Sequence, residues 1–235
     1  MITVKNVGMQ FHQKWVFRNL QLETKKGQSV VLLGPSGSGK SVLLKIIAGL
    51  LAPTEGEVEV GSKNIGMLFQ KNALFDSFTV AQNLLFPLRE NCGITGALAK
   101  EKTSHLLEAV GLTGSEKLYP DKISGGMQKR LGIARALVVE PEILLYDEPT
   151  AGLDPITSKR IAKLIQTLRL QFKTTLITVT NDVHRAYQIG DQIFLLAKGT
   201  LVSGGTPEEV QKTEIPELRQ FIHGLKNGPL TSDFA

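Results

Sequence analysis

The sequence predicts an α/β protein: a parallel sheet covered by helices on both faces, an N-terminal antiparallel β region and an inserted helical lobe. Three observations carry this. The run "SVVLLG" is short, apolar and branched, as a fully buried parallel strand is, and it leads through glycines into helical spacing at "KSVLLKIIAGL". From "EILLYDE" onward, strand texture and helical texture alternate, as they do when crossover helices join parallel strands. Between these regions, residues from about 71 to 122 show helical periodicity broken by Gly and Pro, which reads as a lobe set into the core.

Taken in order, "ITVKNVGMQF" and "WVFRNLQLET" are β-rich and partly alternating, and Lys26-Gly27 turns the chain toward "SVVLLG". Gly49 and Pro53 stop the first helix. "EGEVEVG" and "NIGMLFQ" return to strand. In the middle, "VAQNLLFPLRE", "ALAKEKTSHLLEAVGL" and "MQKRLGIARALVVE" are helical. After "EILLYDE" an amphipathic helix places Ile161, Leu164, Ile165 and Leu168 on one face. "TTLITVT" is a strand, "DVHRAYQI" a helix, and "QIFLLAKGTLVSGG" a hairpin turning at Lys198-Gly199. A Pro-started helix at "PEEVQK" and a tail complete the chain. There is no internal repeat and no low-complexity segment.

A chain of 235 residues with 42% hydrophobic and 21% charged residues can bury a sizeable core. No stretch approaches the roughly 18 apolar residues of a membrane span, and the N-terminus lacks signal-peptide and transit patterns. The single cysteine, Cys92, forms no internal disulfide and suits a reducing compartment. The net charge of +5 fits either a solvated basic surface or a polyanion site. Because the Lys and Arg residues are scattered and not interleaved with aromatics, nucleic acid is not an expected partner.

The chemistry concentrates in three places. "GPSGSGKS", from Gly34 to Ser41, has the G-x-x-x-x-G-K-[ST] pattern directly after a buried strand and before a helix. Its glycines let backbone N–H groups face a polyphosphate; Lys40 would reach the β/γ-phosphates, and the Ser41 hydroxyl would join Mg²⁺. This predicts a P-loop NTPase core, with a nucleotide site that has a place for Mg²⁺. "EILLYDEPT" ends a buried strand in two acids at the carboxyl edge of a parallel sheet, where α/β proteins bind ligands. Asp147 can hold Mg²⁺ through its water shell, and Glu148 can orient or deprotonate the attacking water. "KISGGMQKR" opens a further helix with a Ser-Gly-Gly turn, a second anion cradle. With the P-loop already occupied by one nucleotide, this second cradle is economically explained as covering the nucleotide of another subunit.

"GPSGSGKS", Gln70 in "MLFQ", "ISGGMQ", "LLYDEP", "AGLD" and a strand ending "TNDV" occur in the order and approximate spacing of ATP-binding cassette ATPases, and the sequence resembles that family to at least Gly205. The resemblance implies a nucleotide-binding domain over residues 1–205 and a C-terminal helix and tail over 206–235 in subunit contact. It places Phe11 where an aromatic stacks on adenine; the alternative is that Phe11 is simply strand core. It assigns nucleotide contacts to Gly34, Pro35, Ser36, Gly37, Ser38, Gly39, Lys40, Ser41 and Val42. It gives Gln70 a role at Mg²⁺ and water, and in sensing a transmembrane partner. Ser124, Gly125, Gly126 and Gln128 match the signature motif that closes on the opposite subunit's γ-phosphate; Ile123 and Met127 depart from its commonest spelling. Asp154 matches the loop that crosses the dimer, and before Pro155 it also reads as a helix N-cap.

Where the family carries a switch histidine, this sequence has Asn181, followed by Asp182. The Asn amide can donate to the γ-phosphate but carries no positive charge and is shorter. Slow but real hydrolysis is the expectation. His184 stands on the next helix turn, too far along to substitute.

"FQKNALFDSFTVAQNLLFPLRE", "GLDPITS" and the tail "PELRQFIHGLKNGPL" resemble the Mla-type branch, phospholipid transport ATPases serving the Gram-negative outer membrane. There the tail contacts the partner subunit, which maps here to Phe221, Gly224, Gly228 and Pro229. The segment from Glu57 to Asn64 is shorter than usual, which removes surface β structure but no motif. The resemblance implies a homodimer on the cytoplasmic face of the inner membrane, bound to an integral membrane permease, with an accessory subunit and a substrate-binding protein. The lobe around Phe75 to Leu88 would receive the permease's coupling helix, or its Leu74, Phe75 and Phe78 would fill the lobe's own small core. A polar-solute importer, a soluble cassette protein acting in iron–sulfur assembly or on nucleic acid, and a binding-only regulator remain alternatives.

Overall fold

The computed structural model describes residues 1–231. The chain runs β1 (Ile2–Phe11), β2 (Lys14–Thr24), β3 (Ser29–Leu33), α1 (Lys40–Ile47) and β4 (Glu55–Val60). Next come β5 (Ile65–Leu68), α2 (Val80–Cys92), α3 (Gly96–Ala109), a single 3-10 turn (Pro120–Lys122), α4 (Gly125–Leu137), β6 (Ile143–Asp147) and α5 (Pro155–Phe172). The last part is β7 (Thr175–Thr180), α6 (Val183–Ile189), β8 (Gln192–Ala197), β9 (Thr200–Gly205), α7 (Pro207–Gln211) and α8 (Pro216–His223). Two compact units result: residues 1–63 with those from 175 onward, and residues 64–174.

The first unit holds an antiparallel sheet in the order β2-β1-β4. Its pairing shifts register beside Asn6 and Asn19, two residues in the left-handed region that asparagine tolerates. β3 lies between β7 and β8, parallel to both. All five residues of β3 and all six of β7 are buried, which is why "SVVLL" and "TLITVT" read as apolar runs without strict alternation. β9 folds back on β8 through Lys198 and Gly199, both at positive φ, as a two-residue hairpin requires. The tail carries a second helix, α8, which is not among the elements expected from the sequence, although Pro216 starts it and it buries Leu218 and Gln220. Gly224 ends it in the left-handed conformation, and buried Gln220 pins the segment after the helix: its amide donates to Leu225 O and its carbonyl accepts from Leu230 N at 2.7 Å.

The second unit pairs β5 with β6 in parallel and packs α4 on β5 so closely that a methyl group at Gly66 would lie 2.1 Å from the Ala136 carbonyl oxygen. α2 starts with a capping box between Thr79 and Gln82 and passes through Pro87 without a break. Asn83, fully buried, ties down the loop before α2 by accepting from Phe75 N and donating to the carbonyls of Phe75, Phe78 and Thr79. Among the described residues no helix is long and apolar enough to cross a membrane.

Candidate functional site

In the first unit, β3 delivers the chain into the glycine loop. A methyl group at Gly34 would lie 2.2 Å from the Leu196 carbonyl oxygen, so the loop's first position admits only hydrogen. Gly39, at φ 98, caps α1, and a side chain there would strike Val16 and Phe17. Lys40 opens α1 almost wholly buried, its Nζ donating to Gly34 O at 2.8 Å and Pro35 O at 2.9 Å. The ammonium is thus held inside the loop. Ser38 Oγ is buried with no hydrogen-bond partner among the described residues, the state of a hydroxyl awaiting an acceptor. A cradle of tight glycines, an inward ammonium and an orphaned hydroxyl fits a polyphosphate.

Beside the loop, a cavity of about 760 Å³ is lined by Phe11, Trp15, Arg18, Pro35, Ser36 and Ser38 among others. Phe11 is 42% exposed, so its ring is available at this cavity and is not strand core. Trp15, the chain's single tryptophan, belongs to none of the sequence motifs; Arg18 stacks on its ring at 4.5 Å and is in turn held by Glu55 through two bonds. Parallel pairing aligns Leu33 with Thr180, so Gly34 and Asn181 leave the sheet at the same carboxyl edge. Asn181 is exposed. Asp182 is an N-cap, accepting from Arg185 N, and His184 is exposed on the first turn of α6.

In the second unit, β6 is buried throughout and ends at Asp147. Glu148 follows at φ 48, a left-handed conformation that costs a non-glycine residue about 1 kcal/mol and that clusters at functional sites. Leu68 pairs with Tyr146, so Gln70 and Glu148 emerge from one edge in matching register. Lys129, 3% exposed, donates from Nζ to Gln70 O at 2.8 Å. Burial pushes the Lys129 ammonium pKa down, while the carboxylates of Asp147 and then Glu148 push it up.

Ser124 caps α4, its Oγ accepting from Met127 N. Asp154 caps α5, accepting from Ile156 N and Thr157 N at 2.9 Å; the Thr157 hydroxyl first, then these N–H groups, hold its carboxyl below the usual range. Ser124, Gly125, Gly126, Gly152, Leu153 and Asp154 line one cavity of about 760 Å³ within this unit. Gln128 points elsewhere: its amide donates to Pro120 O, tying the signature helix to the 3-10 turn. Arg130 caps the end of α3 through the carbonyls of Val110 and Gly111. In this unit Gln70 and Asp147 offer hard oxygen donors suited to Mg²⁺, as Ser41 does in the first; the ion takes few protein ligands and several phosphate or water oxygens. Among the described residues no three His, Cys, Asp or Glu side chains gather into a metal site.

Residues 17–151 match the family described as ABC transporter. The Escherichia coli (strain K12) protein named intermembrane phospholipid transport system ATP-binding protein MlaF is 35% identical over 98% of this chain and 91% of its own. Its Haemophilus influenzae namesake is 35% identical over 98% and 93%. The Mycobacterium leprae probable ribonucleotide transport ATP-binding protein mkl is 37% identical over 97% of this chain and 70% of its own. Among solved structures, the dimeric post-hydrolysis state of the ATP-binding cassette MJ0796 bound to ADP and Pi matches with a TM-score of 0.77 and 32% identity over 86% of this chain and 96% of that one. With the glycine loop, the Asp147–Glu148 strand end and the Ser124 cap all in place, this chain belongs to the ABC transporter family of ATP-binding proteins.

Proposed function

We propose that this chain hydrolyses ATP to power a membrane permease that moves phospholipid between membranes. The observation that carries the hydrolytic reading is the strand β6 ending in Asp147 and a strained Glu148, on a chain whose glycine loop already encloses Lys40. The loop N–H groups, the Lys40 ammonium and Ser38 Oγ would bind the phosphates, with Phe11 and Trp15 beside the base. Ser41, Asp147 and Gln70 would hold Mg²⁺, which neutralises phosphate charge when bound. Glu148 takes the proton of the water that attacks the γ-phosphorus as the bond to ADP breaks. Asn181 donates an amide hydrogen bond to the γ-phosphoryl group without supplying charge.

The dimeric cassette structures support a pair of copies; arranged head to tail, the Ser124–Asp154 cavity of one copy would cover the nucleotide of the other. The names of the MlaF relatives support phospholipid as cargo; the mycobacterial name points to ribonucleotides instead. Coverage favours the first, since MlaF is matched over nearly its whole length. Purifying the chain from native membranes with its permease and extracting what is bound decides this: phospholipid supports the reading, and a nucleotide or polar solute refutes the cargo.

The helical lobe offers the permease a seat. Phe75, Phe78 and Phe86 pack ring to ring at 5.0–5.6 Å, but Phe75 stays 40% exposed and the other two are half-buried, so their contacts cover the rings only in part. Phe78, Leu85, Phe86, Ile94 and Ala99 line an apolar cavity of about 510 Å³ between α2 and α3. Leu85→Asp, at the rim of the ring cluster, should abolish co-purification of the permease while ATP binding stays intact; a permease that still co-purifies places the coupling helix elsewhere.

Trp15 supplies a direct binding signal. Because the only indole lines the nucleotide cavity, ATP should change its fluorescence saturably, and Lys40→Ala should remove the change. An unresponsive tryptophan in a protein that binds ATP by calorimetry would move the base away from Trp15.

A further inference from the structure

Lys129 is a charge that the hydrolytic scheme leaves unused. Lysine is almost never fully buried unless paired, and a methionine of similar length would fill this space with no charge to desolvate. Its ammonium donates to a backbone carbonyl, Gln70 O, a contact that packing alone does not require. The turn it grips is unusual. Asn72 and Ala73 both sit at positive φ, with Asn72 N donating to Phe69 O and Ala73 N to Lys71 O. A second cation of α4, Arg135, donates to Ala73 O and lies over the Phe75 ring. Two cations of one helix therefore hold the carbonyls at both ends of the Gln70–Ala73 turn. The same helix begins at the Ser124 cap, roughly 7 Å of helix axis before Lys129.

We propose that Lys129 is a positioning residue, which clamps the Gln70 turn to the signature helix and sets the electrostatic field at the Asp147–Glu148 strand end. This rests on the hydrolytic reading above. Mechanically, α4 is a rigid rod: when Ser124 and its glycines are pulled onto a nucleotide, Lys129 and Arg135 carry the displacement to Gln70. Electrostatically, Lys129 Nζ rests on Gln70 O, and Gln70 leaves the sheet in register with Glu148, so this fixed cation at the strand end opposes a divalent metal at Asp147 and restrains metal affinity while it improves alignment.

These two effects move in opposite directions when the charge is removed, which damage to packing would not produce. Lys129→Met should lower kcat by about 10- to 100-fold through misalignment, with KM for ATP nearly unchanged. The same variant should bind Mn²⁺ at least about threefold more tightly, because a like charge has gone. That second readout is free-Mn²⁺ electron paramagnetic resonance on protein in excess over a non-hydrolysable ATP analogue. Lys129→Arg should restore most of kcat and the weaker Mn²⁺ binding. Unchanged turnover overturns the proposal, and so does a loss of turnover accompanied by unchanged or weaker Mn²⁺ binding, which would mark a merely structural lysine. If Lys129→Met does not fold by circular dichroism, Lys129→Gln carries the same two readouts. If wild type itself shows no hydrolysis, the hydrolytic reading fails separately, and the Mn²⁺ comparison alone decides for or against Lys129.

Discussion

Glu148→Gln is expected to cut ATP turnover by about 10²–10⁴-fold, the usual contribution of a general base. The substitution keeps the size of the side chain and the left-handed backbone at this position, so the fold should be unaffected. It also removes a negative charge from beside a polyanion, so ATP affinity should hold or rise. The variant should therefore accumulate as an ATP-bound dimer. Light scattering with ATP reads the dimer, and phosphate release reads the turnover. A Glu148→Gln protein that hydrolyses ATP at the wild-type rate would remove Glu148 from the chemistry.

The second large effect has the opposite sign. Asn181 leaves the sheet at the same edge as the glycine loop, because Thr180 pairs with Leu33. A histidine there reaches farther than asparagine and can be charged, so it offers a stronger donor to the γ-phosphoryl oxygens. Removing a preorganised donor at such a position commonly costs about 10²–10³ in rate, and asparagine replaces only part of it. Asn181→His should accordingly raise kcat by about tenfold or more with little change in KM. The neighbouring polar groups do not compensate: Asp182 is committed to capping α6, and His184 sits on that helix, exposed. Steady-state phosphate release by the two proteins settles it, and an equal or lower rate for Asn181→His would show that this position does not limit hydrolysis.

Features set by local rules are legible in the sequence. The buried run of β3, its glycine exit, the acids ending β6, the Asp154 cap before Pro155 and the Lys198-Gly199 hairpin each follow from a few adjacent residues. Features that depend on what packs against a helix are not. Lysine in an amphipathic helix normally reads as solvated, so Lys129 does not stand out among the charges of its segment. Yet it stands at helical spacing from Gly132, Ile133 and Ala136, all buried, and that periodicity is the available signal. Asn83 is a similar case, on the face of α2 that buries Val80 and Leu84. Trp15 lies in no motif, and the cavity it shares with Phe11 exists only once β1 and β2 are paired. Gln128 stands one residue past Met127, which holds the motif's fifth position, and has its amide turned to Pro120, so proximity in sequence to the Gly-Gly step does not bring its side chain to the cradle.

Whether this chain is a motor is decided by phosphate release from Mg-ATP by the purified wild-type protein, with Glu148→Gln as the zero. Slow, saturable release above that zero, increased when the permease is present, is the expected result. Release equal to that of Glu148→Gln, alone and with the permease, would contradict hydrolysis and leave a chain that binds ATP without cleaving it.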